Sequence, residues 1–480
     1  MRKLFECDFE FNFTRHVLLR SIAFIYFIGF IILFNQATPL FGESGILPAN
    51  LFIERVDFWR SPSVFHWYFS DTFLDVSSFL GILISFLLML GVFEKRHPLF
   101  SFISWFYLWS FNLSFINIGQ VFYGYGWETM LVETGFLAIF LGHPGIKTSA
   151  ILIWLFRWVC FRNMFGSGLI KIRGDECWRD LTCMFQFYET QPIPNFLSIY
   201  FHHLPEWIHR GSVLLTHFVE LIVPWGFLVP FWRISSLAAL ITIGFQGIII
   251  LSGNLAWLNY LSIVLCLSCF SDRFFRVKKD THLELSNQRK LLIYSLAIFV
   301  AWRSYYPVAN MISSRQSMNR GYDPFHLVNT YGAFGSVTKK RNELVVMGTL
   351  DKDPMSAQWR EYEFKGKPTD IKKSPPLMSP YHWHLDWQMW FAAFGRIDYS
   401  PWVANFVAKL LNADPKTLSL LGSDPFKGEK PQWIKIDYYQ YKMDSLDSAN
   451  YWQREYLGTW LRPVSLSSKN FTKYLKLNGW

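Results

Sequence analysis

The first decisive stretch is residues 17–37, VLLRSIAFIYFIGFIILFNQA, an apolar run interrupted by a single charge at Arg20. A helix needs about 20 apolar residues to cross a hydrocarbon core of about 30 Å, because lipid offers the backbone no water to bond with. The run exceeds a signal-peptide core and is followed by Thr38-Pro39 instead of a small-residue cleavage site. It therefore predicts a retained transmembrane helix.

Further segments of the same character predict nine spanning helices in total. In chain order the candidates are residues 17–37, 73–93, 99–118, 127–142, 149–170, 211–230, 234–252, 255–271 and 289–307. The whole chain is 51% hydrophobic and only 17% charged, whereas ordinary soluble proteins carry about 25% charged residues. This composition excludes a wholly water-soluble protein and indicates a polytopic α-helical membrane protein.

The pattern changes at about residue 308. Charge density rises from about 14% before this point to about 23% after it, and short segments separated by turn residues replace the long apolar runs. Residues 343–347, 360–364 and 434–438 predict strands. We therefore expect a transmembrane bundle over residues 1–307 and a β-rich α+β domain over residues 308–480.

One helix of the second domain is predicted by its start signal. Ser400 is a suitable N-cap, Pro401 suits the first helical position, and the apolar residues that follow recur on one helix face as far as Leu411.

Basic residues predict the orientation, since Lys and Arg accumulate in cytoplasmic loops. With the N-terminus inside, the inner segments hold fourteen Lys and Arg and the outer loops hold six. The C-terminal domain then lies outside the cytoplasm. The outer loops 38–72 and 171–210 are rich in Trp and Tyr, which predicts that they lie on the membrane surface. The net charge of +10 is dispersed among these segments, so no nucleic-acid partner is expected.

Ionisable side chains in the apolar segments are candidate functional residues, because a charge in lipid costs several kcal/mol unless it is paired or hydrated. The predicted polar site comprises Glu133, Arg162, Lys171, His217 and Glu220. His217 and Glu220 are three residues apart and share a helix face, as a general base and its orienting carboxylate would. Two interpretations stay open: structural pairs, such as Glu133 with Arg162, or a cavity that binds a substrate or transfers protons.

Small residues precede Lys171 in the segment Gly166-Ser167-Gly168. They permit close helix packing, or they position Lys171 at the membrane edge as a base.

Cysteine and histidine give weaker signals. Cys177 and Cys183 share an outer loop, where a disulfide is allowed but not required. Cys266 and Cys269 lie in an apolar helix and are expected to act as small hydrophobic residues. The two histidines of the segment 382–384 are predicted to be surface residues rather than metal ligands.

Longer motifs resemble the lipase maturation factor family. They are GQVF at 119–122, WE at 127–128, LVETGFLA at 131–138, FGSGL at 165–169, YETQP at 188–192, HHLP at 202–205, THFVEL at 216–221, NTYGAFG at 329–335, LDWQMWFAA at 385–393 and GTWLRPVS at 458–465. Animal members are endoplasmic-reticulum proteins that secreted lipases need to reach their active dimeric form. The resemblance implies a chaperone-like maturation factor with an exported, lipase-like client. The family has no established catalytic residues to carry over to this chain, and no cofactor is expected.

The chain looks shorter than typical animal members, which indicates a bacterial relative. We expect the inner membrane as its location if the source is bacterial and the endoplasmic-reticulum membrane if it is eukaryotic. Membrane lipids are expected as further partners.

A fainter similarity links the first domain to the vitamin K-dependent γ-carboxylase (HTTM) superfamily, whose catalytic lysine follows a Gly-x-x-Lys turn. Gly168 and Lys171 have that spacing, although Trp178 is displaced from the superfamily pattern. This similarity implies an alternative function: a membrane enzyme acting on a lipid, a quinone or an exported polypeptide, with a quinone or lipid bound at the polar site.

Four aromatic residues are candidates for client or substrate binding: Trp178 and Tyr188 on the second outer loop, and Trp387 and Trp390 in the outer domain. Exposed rings would supply apolar contact area. The other interpretation is that the tryptophans of the outer domain are core residues.

Overall fold

The structure, a computed structural model, describes residues 7–95, 97–277 and 282–480. Its α-helices are α1 Asn12–Phe41, α2 Ala49–Ile53, α3 Asp71–Met89, α4 Pro98–Ile118, α5 Gly126–Leu141, α6 Ala150–Arg173, α7 Glu176–Arg179, α8 Met184–Thr190, α9 Ser198–His202, α10 Glu206–His217, α11 Trp232–Ser252, α12 Leu258–Cys266, α13 Asn287–Arg303, α14 Tyr305–Ile312, α15 His384–Ala392, α16 Trp402–Leu411, α17 Pro415–Leu418 and α18 Lys469–Asn478. A π-helical turn, Phe218–Ile222, and a 3₁₀ segment, Val223–Leu228, continue α10.

Among the described residues, six helical segments are long and apolar enough to cross a membrane, which makes the chain a polytopic membrane protein. They are α1, α3, α4, Glu206–Leu228, α11 and Asn287–Ile312.

The other three predicted spans coincide with α5, α6 and α12, which are helical but shorter or less apolar than these six. α5 has 16 residues, and all but two of them are buried. α6 has 24 residues but contains Arg157, Arg162 and Lys171. Most residues of these three helices are buried inside the protein.

Three segments predicted to be cytoplasmic meet on one side of the bundle. The Asp272 carboxylate accepts hydrogen bonds from the backbone N–H groups of Asn12 at 2.7 Å and of Phe13 at 3.0 Å, which caps the start of α1. Arg15 donates to the Ile146 carbonyl at 2.6 Å. Of the fourteen basic residues counted on this side, five lie outside the described residues: Arg2, Lys3, Arg96, Lys278 and Lys279.

Residues 308–480, called the outer region, contain one antiparallel sheet with strand order β2-β1-β3-β4. The strands are β1 Arg341–Thr349, β2 Arg360–Glu361, β3 Trp433–Met443 and β4 Trp452–Val464. The strands predicted at 343–347 and 434–438 lie within β1 and β3. The strand predicted at 360–364 is only two residues long, because the chain leaves the ladder and buries Tyr362 and Phe364 in the core. The helix that was predicted to begin at Pro401 is α16, and it begins one residue later, at Trp402.

The second outer loop is largely helical, since α7, α8 and α9 lie within residues 171–210. A disulfide joins Cys177 to Cys183, and Trp178, Phe187 and Tyr188 form a small separate core beside it.

A single hydrophobic core runs from the bundle into the outer region. Asn254, after α11, accepts hydrogen bonds from the backbone N–H groups of Met378 at 2.9 Å and Ser379 at 3.1 Å. Gln36 of α1 donates to the His382 carbonyl at 2.7 Å. The outer region is therefore docked on the bundle through buried polar contacts.

We expect Gly166→Ala to lower the thermal unfolding midpoint of the detergent-solubilised protein, because a β-carbon at this position would lie 2.5 Å from the Tyr331 carbonyl oxygen. Gly247→Ala in α11 is the matched control, since its β-carbon would meet nothing within 4 Å and alanine favours a helix by about 1 kcal/mol. Equal midpoints for the two variants would contradict this packing.

Candidate functional site

The first buried ion pair joins α5 to α6. Glu133 and Arg162 are each 1% exposed, and the guanidinium contacts the carboxylate through two nitrogens. Arg162 also donates to the Asn329 carbonyl at 2.5 Å, while Glu133 accepts from the Tyr331 hydroxyl at 2.5 Å and from the Asn329 backbone N–H at 3.1 Å. The predicted Glu133–Arg162 pair therefore forms, and residues of the outer region add hydrogen bonds to both of its members.

The second buried ion pair joins Lys171 of α6 to Glu220 in the π-helical turn. The ammonium nitrogen of Lys171 lies 2.8 Å from both carboxylate oxygens, and it also lies 5.5 Å from the centre of the Trp178 ring, within range of a cation–π contact. Gly168 permits this approach, because a β-carbon there would lie 2.8 Å from Leu221. The small residues before Lys171 thus serve close helix packing.

His217 does not pair with Glu220, although the two are three residues apart. Its Nε2 lies 2.9 Å from the Trp178 carbonyl oxygen, because the π-helical turn directs Glu220 to Lys171 instead. The five predicted polar residues therefore divide into two ion pairs and one separate histidine.

An internal cavity of about 140 Å³ lies among α6, α8, α10, α11 and α12. Lys171 and Glu220 contribute to its wall, together with Trp178 and Tyr188. Both aromatic residues are buried, so any ligand that they contact must enter the protein. Glu133, Arg162 and His217 are not among the described residues that line this cavity.

An aromatic vestibule of about 280 Å³ lies between the bundle and the outer region. Its aromatic wall includes Tyr125, Trp127, Trp387, Trp390 and Phe391. The vestibule shares five lining residues with the internal cavity, which makes the two spaces neighbours: Asn163, Leu255, Leu258, Ala333 and Phe334.

Trp387 is not exposed. It is buried with its ring centre 4.9 Å from that of Trp127, because the start of α15 packs on the bundle. Trp390 is half-buried, with its ring centre 4.4 Å from that of Phe394. The two predicted binding residues of α15 therefore have different surroundings, and Trp390 is closer to the surface.

The prediction that His382 and His384 are surface residues is wrong. Both are buried, and His384 stacks on Tyr123 with 4.1 Å between ring centres and lies 3.5 Å from the Glu128 carboxylate. Burial lowers the pKa of His382 to about 3 and holds the pKa of His384 well below its ordinary value. The only signal in the sequence was the aromatic run Tyr123, Tyr125, Trp127, which supplies the facing rings.

The remaining cysteines are buried thiols, except for the exposed Cys7. The sulfur atoms of Cys160 and Cys266 are 3.6 Å apart, within hydrogen-bond range, and form no disulfide, as expected for small residues in a core. In the described part of the chain, no group of three or more His, Cys, Asp or Glu residues could hold a metal ion.

Two family models match the chain, one over most of the bundle and one over much of the outer region. The model described as lipase maturation factor transmembrane domain matches residues 13–277, and the model described as lipase maturation factor C-terminal domain matches residues 327–462. The chain belongs to the lipase maturation factor family. Glu133 and Arg162 lie in the first matched region and Asn329 and Tyr331 in the second, so their network joins the two domains of the family.

Relatives in this family align with nearly the whole chain. Lipase maturation factor 1 of Mus musculus is 40% identical and that of Homo sapiens 38% identical, each over 98% of this chain and 90% of the relative. Lipase maturation factor 2 of Xenopus laevis is 28% identical over 98% of this chain and 85% of the relative. No solved structure matches this chain.

Glu133→Gln should strongly lower the thermal unfolding midpoint, because it leaves the Arg162 guanidinium buried without its counter-ion, at a cost of about 3 to 5 kcal/mol. The double variant Glu133→Gln/Arg162→Met removes both charges and should regain at least half of the loss. Size-exclusion chromatography after heating measures the unfolding midpoints of the single and the double variant. A double variant as unstable as Glu133→Gln would contradict the pairing role.

Acidification should destabilise the junction between bundle and outer region through His382. The pKa of His382 is near 6.5 in the unfolded chain and about 3 in the folded chain. The free energy of unfolding is therefore unaffected by this group above pH 6.5. It falls as the pH drops from 6.5 to 3, because only the unfolded state binds the proton in this range. Burial raises the pKa of Asp386 to about 6, which has the opposite effect between pH 6 and pH 3.8.

His382→Phe isolates the histidine, because neither ring nitrogen has a hydrogen-bond partner to lose. Between pH 6.5 and pH 5 the wild type should lose about 2 kcal/mol more than this variant. Thermal midpoints followed by tryptophan fluorescence test this expectation, and parallel pH profiles would exclude it.

Proposed function

We propose that this chain is an integral-membrane maturation factor that assists the folding or assembly of exported lipases. Family membership supports the proposal, since the matched regions and the relatives named lipase maturation factors cover nearly the whole chain. The observation that carries the mechanism is an exposed group of aromatic side chains at the mouth of the aromatic vestibule.

This group, the α15 aromatic surface, consists of Trp390, Phe391, Phe394 and Tyr399. Phe391 is 44%, Phe394 48% and Tyr399 82% exposed. Large rings give extensive apolar contact at a low cost in conformational entropy, and they dominate the binding energy of many interfaces. A partly folded lipase exposes apolar segments that its mature form buries, and these are the segments that such a surface would hold.

The α15 aromatic surface is held rigidly. The Asp386 carboxylate accepts hydrogen bonds from the backbone N–H groups of Gly366 at 2.6 Å and Lys367 at 3.0 Å. At the other end of the helix, Tyr438 donates to the Ala393 carbonyl at 3.0 Å and Trp460 donates to the Gly395 carbonyl at 2.7 Å. A preorganised surface binds without first losing its own conformational freedom.

The proposed topology has nine crossings, with α5, α6 and α12 as the inner three, a cytoplasmic N-terminus and an extracytoplasmic outer region. The asymmetry of Lys and Arg supports this orientation. The Cys177–Cys183 disulfide supports it too, because such bonds persist in oxidising compartments. The surface would then meet exported clients from the endoplasmic-reticulum membrane or the bacterial inner membrane.

The membrane-enzyme alternative is not favoured. The hydrogen-bonding groups of Glu133 are occupied by Arg162, Asn329 and Tyr331, and both carboxylate oxygens of Glu220 contact the Lys171 ammonium. The polar residues therefore stabilise the bundle in separate pairs instead of converging on one reacting atom.

The triple variant Phe391→Ser/Phe394→Ser/Tyr399→Ser should reduce the yield of active secreted lipase at least about fivefold, since each lost aromatic contact costs on the order of 1 kcal/mol. Co-expression with a dimeric secreted lipase, with the variant's own level monitored, measures the effect. The control variant changes three exposed apolar residues elsewhere on the outer region: Leu446→Ser/Tyr456→Ser/Leu457→Ser. Unchanged lipase yield with the first variant, or equal losses with both, would refute this client surface.

A further inference from the structure

The internal cavity adjoins the lipid-facing surface of two membrane-spanning segments. Leu215 of α10 and Ile248 of α11 line it and are 40% and 46% exposed. Both helices belong to segments long and apolar enough to cross the membrane. The exposed side of these residues therefore contacts lipid, and their other side borders the cavity.

The walls of the cavity are suited to hydrocarbon. Met164, Met184, Phe187, Phe245 and Ile249 contribute to them, and methionine adapts to irregular apolar shapes. The volume is about 140 Å³, and an apolar cavity of about 150 Å³ holds a benzene-sized molecule. The cavity can therefore accept several carbons of an alkyl chain, but not a complete two-chain lipid.

One end of the cavity is polar and has no net charge. A lysine ammonium has three N–H donors, and the two bonds of Lys171 to Glu220 occupy two of them. On another wall, the Gln246 amide donates to the Met164 sulfur at 3.3 Å, which is a weak acceptor. The ion pair would repel neither sign of charge strongly, so an uncharged oxygen acceptor such as an ester carbonyl fits best.

The polar and apolar groups of the cavity follow one another along α6 in the same order as the ester and the acyl chain of a glycerolipid. Lys171 lies two residues before the end of α6 at Arg173, near the membrane edge, where glycerol esters lie. Met164 is seven residues earlier, about 10 Å deeper at 1.5 Å per residue. A chain whose ester carbonyl is at Lys171 would thus run inward along the apolar wall.

We propose that the internal cavity binds one acyl chain of a membrane glycerolipid, which enters between α10 and α11 while its ester carbonyl accepts a hydrogen bond from Lys171. The rest of the lipid stays in the bilayer. This site is distinct from the α15 aromatic surface and does not depend on the identity of a client.

Photolabelling in phosphatidylcholine vesicles tests the proposal. The full-length protein is reconstituted with a trace of phosphatidylcholine that carries a diazirine near the end of one acyl chain, and labelled peptides are mapped by mass spectrometry. We expect label on Met164 and Phe245. Ile249→Trp, which fills the cavity, should reduce that label at least fivefold, and Leu237→Trp, an exposed position on the same helix, should leave it unchanged.

Label confined to outward-facing residues such as Leu237 in the wild-type protein would overturn the proposal, and this result does not depend on whether any variant folds. A parallel sample with a diazirine fatty acid identifies the source of the chain. Labelling of Met164 by the fatty acid but not by phosphatidylcholine would also overturn the proposal, because the site would then take a free acid and not a glycerolipid.

Discussion

A guanidinium buried in a helix bundle needs a counter-ion and acceptors for its remaining N–H groups, since an unpaired charge at such a site costs several kcal/mol. For Arg162, the bundle supplies only part of this set. Glu133 of α5 neutralises the charge, but the Asn329 carbonyl accepts from the guanidinium, and Tyr331 and the Asn329 N–H donate to the carboxylate. The segment 329–331 therefore supplies hydrogen bonds to this buried pair that the bundle does not.

These shared hydrogen bonds join the bundle to the outer region. The segment 329–331 brings residues 331–336 to the wall of the aromatic vestibule, opposite Trp387 and Trp390 of α15. Gln36 and Asn254 add further buried contacts at the same junction. The α15 aromatic surface is thus fixed in position relative to the bundle.

The sequence predicted what depends on local composition. Helices form at all nine apolar segments, as long apolar runs predict, and β1 and β3 follow from short alternating segments. The family followed from motifs distributed over most of the chain.

The sequence predicted less well which distant side chains come into contact and which are buried. Glu133–Arg162 could be named as a pair, whereas Lys171–Glu220 depends on a π-helical turn that no residue pattern announces. The sequence predicts His382 to be a surface residue and leaves Trp387 open between an exposed binding residue and a core residue. The docking of their segment on Tyr125 and Trp127 buries both.

The segment 329–331 is a structural part of the bundle, although it lies in the outer region of the chain. Hydrogen–deuterium exchange of the detergent-solubilised protein tests this placement most directly, because the Asn329 amide is bonded to the buried Glu133 carboxylate. Peptides covering residues 328–332 should stay protected for hours, like those of α5. Exchange within seconds, as expected for the exposed loop 352–358, would contradict the account.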